Sequence, residues 1–467
     1  MGNSSDNFIA ITGMSCRFAG AADLRGYWMS VLFARPSFGD IADNAAGRHL
    51  QEPPSSFRHL PTMRAALLGD LWRTDSSAKA PAAGVNPVML LAADLVAAAL
   101  KSATKSDAAA QGAATPGTPR ERIAAFIGHS PALGPAEAVW CQHGFVIDQT
   151  MELVRRCIPY GSAADFESLR QSLDAALPQF DSRSVRFLLP QTLATFVAER
   201  CNLAGPALCI DAGDCSSAAA IQAGCDALLG GRADLAVAGA VQGPVSAQLM
   251  MPFAKMGLLS KSGSVQPFCK GADGTLPGEG GGFFAMKRYS DAIRNGDRIF
   301  AIIRATATAT GGNSKRIDGG YSNVLRAVWP PHDPDPAAID YLEGNGAGIP
   351  TLDRAELRSF CSIAGDAAKR NSIALGAAKA LVGDCLAAAG MAGAIKAALA
   401  LYLRIIPPAL PQPLLAGALD LSDTPFYLPP RPRPWIHNDA GAPRRAAVAS
   451  IGVGGTASLM VLEQTTR

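Results

Sequence analysis

The sequence is 467 residues long, with 48% hydrophobic and 17% charged residues and a formal net charge of +3. This length and composition predict a sizeable core, and the small net charge argues against a nucleic acid or another polyanion as a partner. The polar start of the chain has no signal-peptide pattern, and no uninterrupted apolar run reaches the roughly 18 residues typical of a membrane-spanning helix. We therefore expect a cytoplasmic protein that does not enter a membrane.

Ten cysteines are present, and several lie inside apolar runs, among them Cys209, Cys225 and Cys385. This placement is typical of small buried side chains in a reducing compartment rather than of a disulfide framework. The sequence has neither a Cys-x-x-Cys pair nor a histidine-rich tract, so we expect no metal site. We expect no other cofactor either.

Taken in order, the chain alternates short apolar segments with helices of small residues. Phe8–Gly13 is predicted to form a strand and Met63–Trp72 a short helix. Asn86–Leu100 is predicted to form a strongly apolar helix, and Ile123–Gly128 the next strand. This alternation is typical of an α/β fold.

The segment Ala204–Ala240 is the part of the chain around which the rest is organised. Leu208–Ile210 is a short apolar run without polar alternation, which predicts a strand covered on both faces. A turn of small residues, Asp211–Ser217, leads into a helix predicted over Ala218–Leu229, and Leu235–Val237 resumes the sheet. Such a tight turn exposes one residue at a helix N-terminus, where backbone N–H groups favour negative charge.

This segment resembles the nucleophile turn of the β-ketoacyl synthases, whose motif is GPS-x-x-x-D-T-A-C-S-S-S followed by a helix and a D-L-A-L-A-G-G strand. The opening IAITGMSCRFAGA is similar to that family's IAIVGMSCRFPGA, and Pro267–Ala307 matches the family almost residue for residue. The resemblance implies a thiolase-type fold, which is a duplicated βαβαβαβ unit in five layers, α/β/α/β/α. We divide it into an N-terminal half, residues 1–265, and a C-terminal half, residues 266–467.

The resemblance also implies partners. Members of the family act on acyl thioesters held by the phosphopantetheine arm of an acyl carrier protein, and they form two-fold dimers. We expect a homodimer, or a heterodimer with an active ketosynthase, whose interface includes the strand near Leu235–Gly239. Because the chain ends shortly after Glu463, we expect a stand-alone protein without the acyltransferase and carrier domains of a modular synthase.

The family's catalytic cysteine and two histidines can be placed here from flanking residues that match without gaps. The first histidine position, within DYLEGNGAG, is Asn345, and the second, within KALVGDCLAAAG, is Asp384. At the nucleophile turn the gapless alignment gives Asp214, whereas a shift by one residue gives Cys215. That shift would rotate the following helix by about 100°. We therefore place Asp214 at the nucleophile position and keep Cys215 as the alternative.

Residues that bear the fold persist around these replacements. Lys379 stands at the position of the family's supporting lysine. The family's C-terminal FGFGGTNAH is here IGVGGTASL, so that Val453 replaces a gating phenylalanine while Gly454, Gly455 and Thr456 are retained. The resemblance implies that these five residues contact the substrate.

Two hypotheses for the function remain. An aspartate cannot form a useful thioester, and Asn345 cannot shuttle a proton at neutral pH, so we expect the family's decarboxylative condensation to be lost. The first hypothesis is a non-condensing subunit, similar to the chain-length factors that pair with an active ketosynthase. The second is altered chemistry on a carrier-bound acyl thioester: acyl transfer, hydrolysis, dehydration or decarboxylation. It would use Asp214, Asn345 and Asp384, or the thiol of Cys215.

Overall fold

Two repeats of one strand-and-helix pattern build the molecule. The computed structural model describes residues 8–41, 59–69, 86–104, 118–130, 140–177, 188–310, 323–324, 327, 338–364, 369–409, 411–415, 417–436, 442–452 and 454–465. The elements up to residue 294 are β1 (Ile9–Phe18), α1 (Leu24–Leu32), β2 (Gly39–Asp40), β3 (Arg64–Ala65), α2 (Pro87–Ala103), β4 (Ile123–Gly128), α3 (Ile147–Cys157), α4 (Ala163–Ala176), α5 (Gln191–Arg200), β5 (Ala207–Ile210), α6 (Ser216–Leu229), β6 (Leu235–Gln242), α7 (Ala247–Lys255), β7 (Gly280–Arg288) and α8 (Tyr289–Arg294).

The remaining elements follow from residue 301. They are β8 (Ala301–Thr310), β9 (Tyr341–Glu343), α9 (Pro350–Ala364), β10 (Ile373–Gly376), α10 (Lys379–Val382), α11 (Ala389–Leu403), β11 (Ile405–Ile406), α12 (Gln412–Leu415), β12 (Phe426–Tyr427), β13 (Arg433–Pro434), β14 (Arg445–Ile451) and β15 (Thr456–Glu463).

The order of the strands repeats. The main sheet has 11 strands in the order β12-β10-β9-β14-β15-β8-β1-β7-β6-β4-β5. Read outward from its middle, β1-β7-β6-β4-β5 on one side has the same order as β8-β15-β14-β9-β10 on the other. The duplicated α/β fold predicted from the sequence is thus confirmed. Because β7 belongs to the first repeat, that repeat ends later than residue 265, where we divided the chain.

Backbone pairing joins the two repeats edge to edge. β1 pairs with β8 over Ile9–Ile11, and this short pairing links the two β layers, one from each repeat, into a single hydrogen-bonded sheet. Helices α6 and α11 contact each other and strands of both repeats, and they form the central layer. On the outer faces, α2 and α5 pack on the first repeat and α9 packs on the second. These are the five layers expected.

Helix α11 is buried on all sides. Residues Leu386–Leu403 are the one stretch of the described chain that is long and apolar enough to cross a membrane, and 78% of them are buried inside the protein. A helix that is apolar on all faces is typical of the core of a large globular protein as much as of a membrane span. The charged residue within it, Lys396, lies 2.8 Å from Glu343 Oε2 in a fully buried ion pair.

Three local predictions were wrong. The described part of Met63–Trp72 holds the short strand β3 instead of a helix, because Arg64–Ala65 pairs with Gly39–Asp40. The strand β5 is not covered on both faces: it is the edge of the sheet, and Leu208 is 54% exposed. Conversely, Leu235–Gly239 lies inside the sheet between β4 and β7, so it cannot pair with a second copy of the chain.

We predict that β5 pairs with its counterpart in a two-fold dimer, because an apolar strand edge left open invites pairing with another chain. Leu208→Lys should shift the dimer to monomers at micromolar concentration, as measured by light scattering. Leu229→Lys, at a residue that is 45% exposed at the end of α6, is the matched control and should leave the dimer intact. A parent protein that is already monomeric at this concentration would contradict the prediction.

Candidate functional site

The turn between β5 and α6 is shaped by a glycine and by two polar side chains. Gly213 has a φ of +58°, a left-handed conformation that glycine adopts at no steric cost, and its N–H donates to Asp211 Oδ1 at 3.0 Å. Ser216 Oγ accepts from Ala212 N at 2.8 Å and donates to Gly213 O at 2.6 Å. These bonds fix Asp214 in the turn, one residue before Cys215, the N-cap of α6.

Asp214 is buried without a hydrogen-bond partner. Its residue surface is 6% exposed, and no donor of the described residues reaches its carboxyl group. Burial raises the pKa of this carboxyl from the ordinary 3.8 to about 7; the charge of Asp384 adds to the rise, and the ammonium of Lys379 opposes it. Both protonation states are therefore populated near neutral pH.

Cys215 is adjacent in sequence but lies in a different environment. Its side chain is fully buried, and its Sγ donates to Thr456 O at 3.4 Å and to Ser450 O at 3.6 Å. Burial raises the pKa of the thiol to about 11. A nucleophilic cysteine needs the opposite shift, because the thiolate is the reactive species.

Asn345 lies in the loop after β9, and its surroundings fix the orientation of its amide. Oδ1 accepts hydrogen bonds from Lys379 Nζ and from Ile451 N, each at 3.1 Å. Both partners are donors, so the oxygen and not the nitrogen must face them. Glu356 fixes the backbone of this loop, because its carboxylate accepts hydrogen bonds from Asn345 N at 2.7 Å and from Gly346 N at 3.1 Å. The Nδ2 amide group is left as a donor.

Asp384 and Lys379 form a buried ion pair. Lys379 Nζ lies 2.8 Å from Asp384 Oδ2, and the two side chains are 7% and 6% exposed. Asp384 Oδ1 accepts from Leu386 N at 3.1 Å, so both of its oxygens are engaged. Burial alone would lower the pKa of Lys379, but the negative charges of Asp384 and Asp214 outweigh it and raise that pKa. The lysine is therefore a permanent cation.

The glycine-rich turn between β14 and β15 adjoins the turn that carries Asp214. Gly452 N donates to Thr456 O at 2.8 Å, and Gly455, with a φ of +82°, donates its N–H to Gly452 O at 2.9 Å. A Cβ atom on Gly452 would lie 3.7 Å from Asp214 N. Gly454, at the tip of this turn, is exposed.

The structure therefore brings most of the expected residues together. Asn345, Lys379 and Asp384 are in direct contact, and Asp214 is close enough to the last two for their charges to act on it. Cys215 is directed toward backbone carbonyls. Val453 lies outside the described residues, and the substrate contacts expected of Gly454, Gly455, Thr456 and Lys379 stay a prediction.

Sequence reasoning assigned no role to the carboxylates that support the site. Besides Glu356, Asp353 is 1% exposed and accepts from Phe268 N at 2.9 Å. Burial raises the pKa of Asp353 to about 7. Glu343 accepts from Ala378 N at 2.5 Å beside its ion pair with Lys396. The available signal was the i, i+3 spacing of Asp353 and Glu356, which places both on one face of α9.

This arrangement limits the chemistry of the site. The ammonium and the amide can donate hydrogen bonds and the carboxyl groups can accept them, and Asp214, with its pKa raised to about 7, can exchange a proton near neutral pH. The two neighbouring thiols, those of Cys215 and Cys385, bond to backbone carbonyls, and burial raises the pKa of both. The described site thus provides no thiolate to which an acyl group could be transferred.

Fold and site together define a thiolase-type α/β protein with a polar network between its two repeats. The family model for the beta-ketoacyl synthase N-terminal domain matches residues 6–292, which is more than half of the chain, and that for the C-terminal domain matches residues 300–412. The chain belongs to the beta-ketoacyl synthase family.

Curated relatives are much longer proteins. Over 266 residues, 56% of the chain, it is 35% identical to a phenolphthiocerol/phthiocerol polyketide synthase of Mycobacterium tuberculosis, of which it covers 17%. Over 289 residues, 59% of the chain, it is 33% identical to a polyunsaturated fatty acid synthase of a Thraustochytrium species, of which it covers 10%. The chain thus spans less than a fifth of the length of these relatives.

Solved structures share the fold. An oxazolomycin ketosynthase domain of Streptomyces albus superimposes with a TM-score of 0.77 at 25% identity, covering 98% of this chain and 76% of that one. A protein named PfaC keto synthase–chain length factor superimposes with a TM-score of 0.79 at 23% identity, covering 98% of this chain and 48% of that one. The second likeness shows the fold alone.

We predict that Asp214→Asn changes stability in a pH-dependent way. Because the folded protein holds the Asp214 proton more tightly than the unfolded chain, the contribution of Asp214 is fully present below about pH 4 and is lost as the pH rises through about 7. Relative to the parent, the variant should gain about 2 kcal/mol more at pH 8 than at pH 5. Urea unfolding measures this, with exposed Asp226→Asn as the control; equal effects at both pH values would contradict it.

A second prediction concerns the lysine. Lys379→Met leaves the buried carboxylate of Asp384 without its cation and should lower the free energy of unfolding by about 3–5 kcal/mol at pH 7.5. The double variant Lys379→Met/Asp384→Leu should recover much of that loss, because it removes the unpaired charge. Exposed Lys270→Met is the control. Denaturant titration of the two single variants and the double variant measures these free energies of unfolding. A loss in the double variant equal to the sum of the two single losses would contradict the prediction.

Proposed function

We propose that this ketosynthase-like chain is a non-condensing partner of an active ketosynthase in polyketide or fatty acid biosynthesis, in the manner of a chain-length factor. The relatives support this setting, since they are polyketide synthases and a polyunsaturated fatty acid synthase. One protein of the same fold is itself named a keto synthase–chain length factor.

The observation that carries the proposal is the buried bridge of Lys379 between Asn345 and Asp384. In a condensing ketosynthase these two positions would hold the histidines that polarise the malonyl thioester and stabilise its enolate. Here the ammonium engages the amide oxygen at 3.1 Å and one carboxylate oxygen at 2.8 Å. A carboxylate in place of a histidine would also repel an enolate, because like charges raise each other's free energy.

Pairing with a second ketosynthase protein has support in the surface. The edge strand β5 presents the exposed side chain of Leu208. Earlier in the chain, the segment around α3 exposes further large apolar side chains, among them Phe145, Leu153 and Tyr160. Apolar side chains clustered at a surface favour a protein partner. We propose a homodimer in isolation and a heterodimer with the active ketosynthase in the pathway.

The ligand in this proposal is an acyl thioester on the phosphopantetheine arm of an acyl carrier protein. The support is the family itself, whose polyketide and fatty acid synthase members work with carrier domains. The protein would meet this carrier in the cytoplasm. Because this protein has no reactive thiol at the described site, it would bind the acyl chain and affect its final length without forming an acyl-enzyme.

A second candidate function has one specific observation in its favour. The pKa of Asp214, about 7, is that of an effective general acid or base at neutral pH, and Asp384 lies close to it. The site could then catalyse a proton-transfer reaction, such as dehydration, on a carrier-bound thioester. In this case Asp214→Asn or Asp384→Asn would abolish turnover, whereas Cys215→Ser would leave it unchanged.

Intact mass spectrometry tests the primary proposal. After incubation with butyryl-pantetheine, the parent protein and Cys215→Ser should both keep their unmodified mass, because no thiolate faces the site. Asp214→Cys is the matched positive control and should gain one butyryl group, because it places a thiol at the helix N-terminus beside Lys379. A butyryl group on Cys215 of the parent would overturn both our alignment and the proposal.

A further inference from the structure

Two hydrogen-bonding groups of the site have no partner among the described residues. One is the carboxyl group of Asp214, and the other is the Nδ2 amide group of Asn345. The two residues are 6% and 5% exposed, so bulk water reaches them poorly. Neither group is among the side-chain atoms of the described residues that are sealed from solvent without a partner, so each keeps a small accessible area through which a ligand can reach it.

The other hydrogen-bonding atoms of the site, by contrast, have partners. Asp384 accepts from Lys379 Nζ and from Leu386 N, and Asn345 Oδ1 accepts from Lys379 Nζ and from Ile451 N. Rotation of the Asn345 amide cannot satisfy its nitrogen, because that rotation would bring two donors against Lys379 and Ile451. The unmet donor and the unmet carboxyl group are thus built into the network.

The two groups flank the same short segment. Asn345 bonds to the backbone of Ile451, and the next residue, Gly452, lies against the backbone of Asp214. Lys379 links them as well, since it bonds to Asn345 and its charge acts on Asp214. The two groups therefore adjoin the same residues of the site.

The charges nearby restrict the class of ligand. A cationic ligand on Asp214 would meet the ammonium of Lys379, and an anionic ligand would meet the carboxylate of Asp384. A neutral ligand remains, with an acceptor for Asn345 Nδ2 and a donor for Asp214. A carbonyl oxygen and a hydroxyl group on nearby carbons supply this pair.

We propose that Asn345 and Asp214 hold a 3-hydroxyacyl thioester without forming a covalent bond to it. The thioester carbonyl accepts from Asn345 Nδ2, and the 3-hydroxyl group donates to the Asp214 carboxylate. This inference rests on the proposed function, which supplies the thioester, and it adds the oxidation state of the acyl chain that the site prefers.

Calorimetric titration tests the preference with three pantetheine thioesters at pH 8, where Asp214 is mostly ionised. The 3-hydroxybutyryl thioester should bind about tenfold or more tightly than the butyryl and the 3-methoxybutyryl thioesters, which lack the donor. Asp214→Ala should remove this preference, so that the three affinities become similar, whereas Asp226→Ala should retain the preference. The methoxy comparison uses the parent protein, so it holds even where a variant does not fold.

Equal affinities for the three thioesters in the parent protein would overturn the inference, as would a preference that persists in folded Asp214→Ala. Neither result affects the proposed function, whose own test is the absence of acylated Cys215. Conversely, an acyl-Cys215 adduct would overturn the proposed function while the hydroxyl preference could still be measured in Cys215→Ser.

Discussion

The site depends on one buried cation. The ammonium of Lys379 joins an amide oxygen from one loop to a carboxylate from another, and its charge reaches the carboxyl group at the head of α6. Without this cation, two carboxyl groups would lie in a buried space with nothing to offset their repulsion. The lysine, which the resemblance assigns only a supporting role, thus determines the electrostatics of the whole site.

The duplication of the fold explains why these groups meet. The third strand that each repeat gives to the main sheet, β5 or β10, is followed by a connecting turn, which in the second repeat also holds the short helix α10, and then by a helix of the central layer, α6 or α11. Asp214 lies in the first of these turns and Asp384 in the second. Because α6 and α11 pack against each other between the repeats, the two turns approach each other. Positions at corresponding places of two repeats thereby form one site.

Stability and function pull against each other in this network. A carboxyl group at the position of Asp214 is costly when ionised, as its raised pKa shows, and an apolar side chain would avoid that cost. Supporting carboxylates such as Glu356 and Glu343 are buried as well, but each is fully engaged with backbone N–H groups or a cation. Asp214 alone of these four carboxylates, counting Asp384, has no such partner among the described residues, in keeping with the ligand contact that we propose for it.

Much of this could be read from the sequence, and the remainder has a physical reason. The strand Ile123–Gly128 was predicted to the residue, and the duplicated α/β fold followed from matched motifs and from short apolar segments that alternate with helices of small residues. The replacement of a cysteine and two histidines was equally visible, since flanking residues fix those positions without gaps.

The sequence did not show whether a strand is central or at an edge, because apolar residues alone do not report which neighbours a strand has. The exposed β5 and the interior β6 were therefore interchanged. Only the tertiary structure showed that Lys379 joins Asn345 to Asp384, and that Cys215 bonds to backbone carbonyls, since both contacts depend on segments more than thirty residues apart in sequence. The sequence determined which groups the site contains, and the packing of the two repeats decided which of them are already bonded and which are left for a ligand.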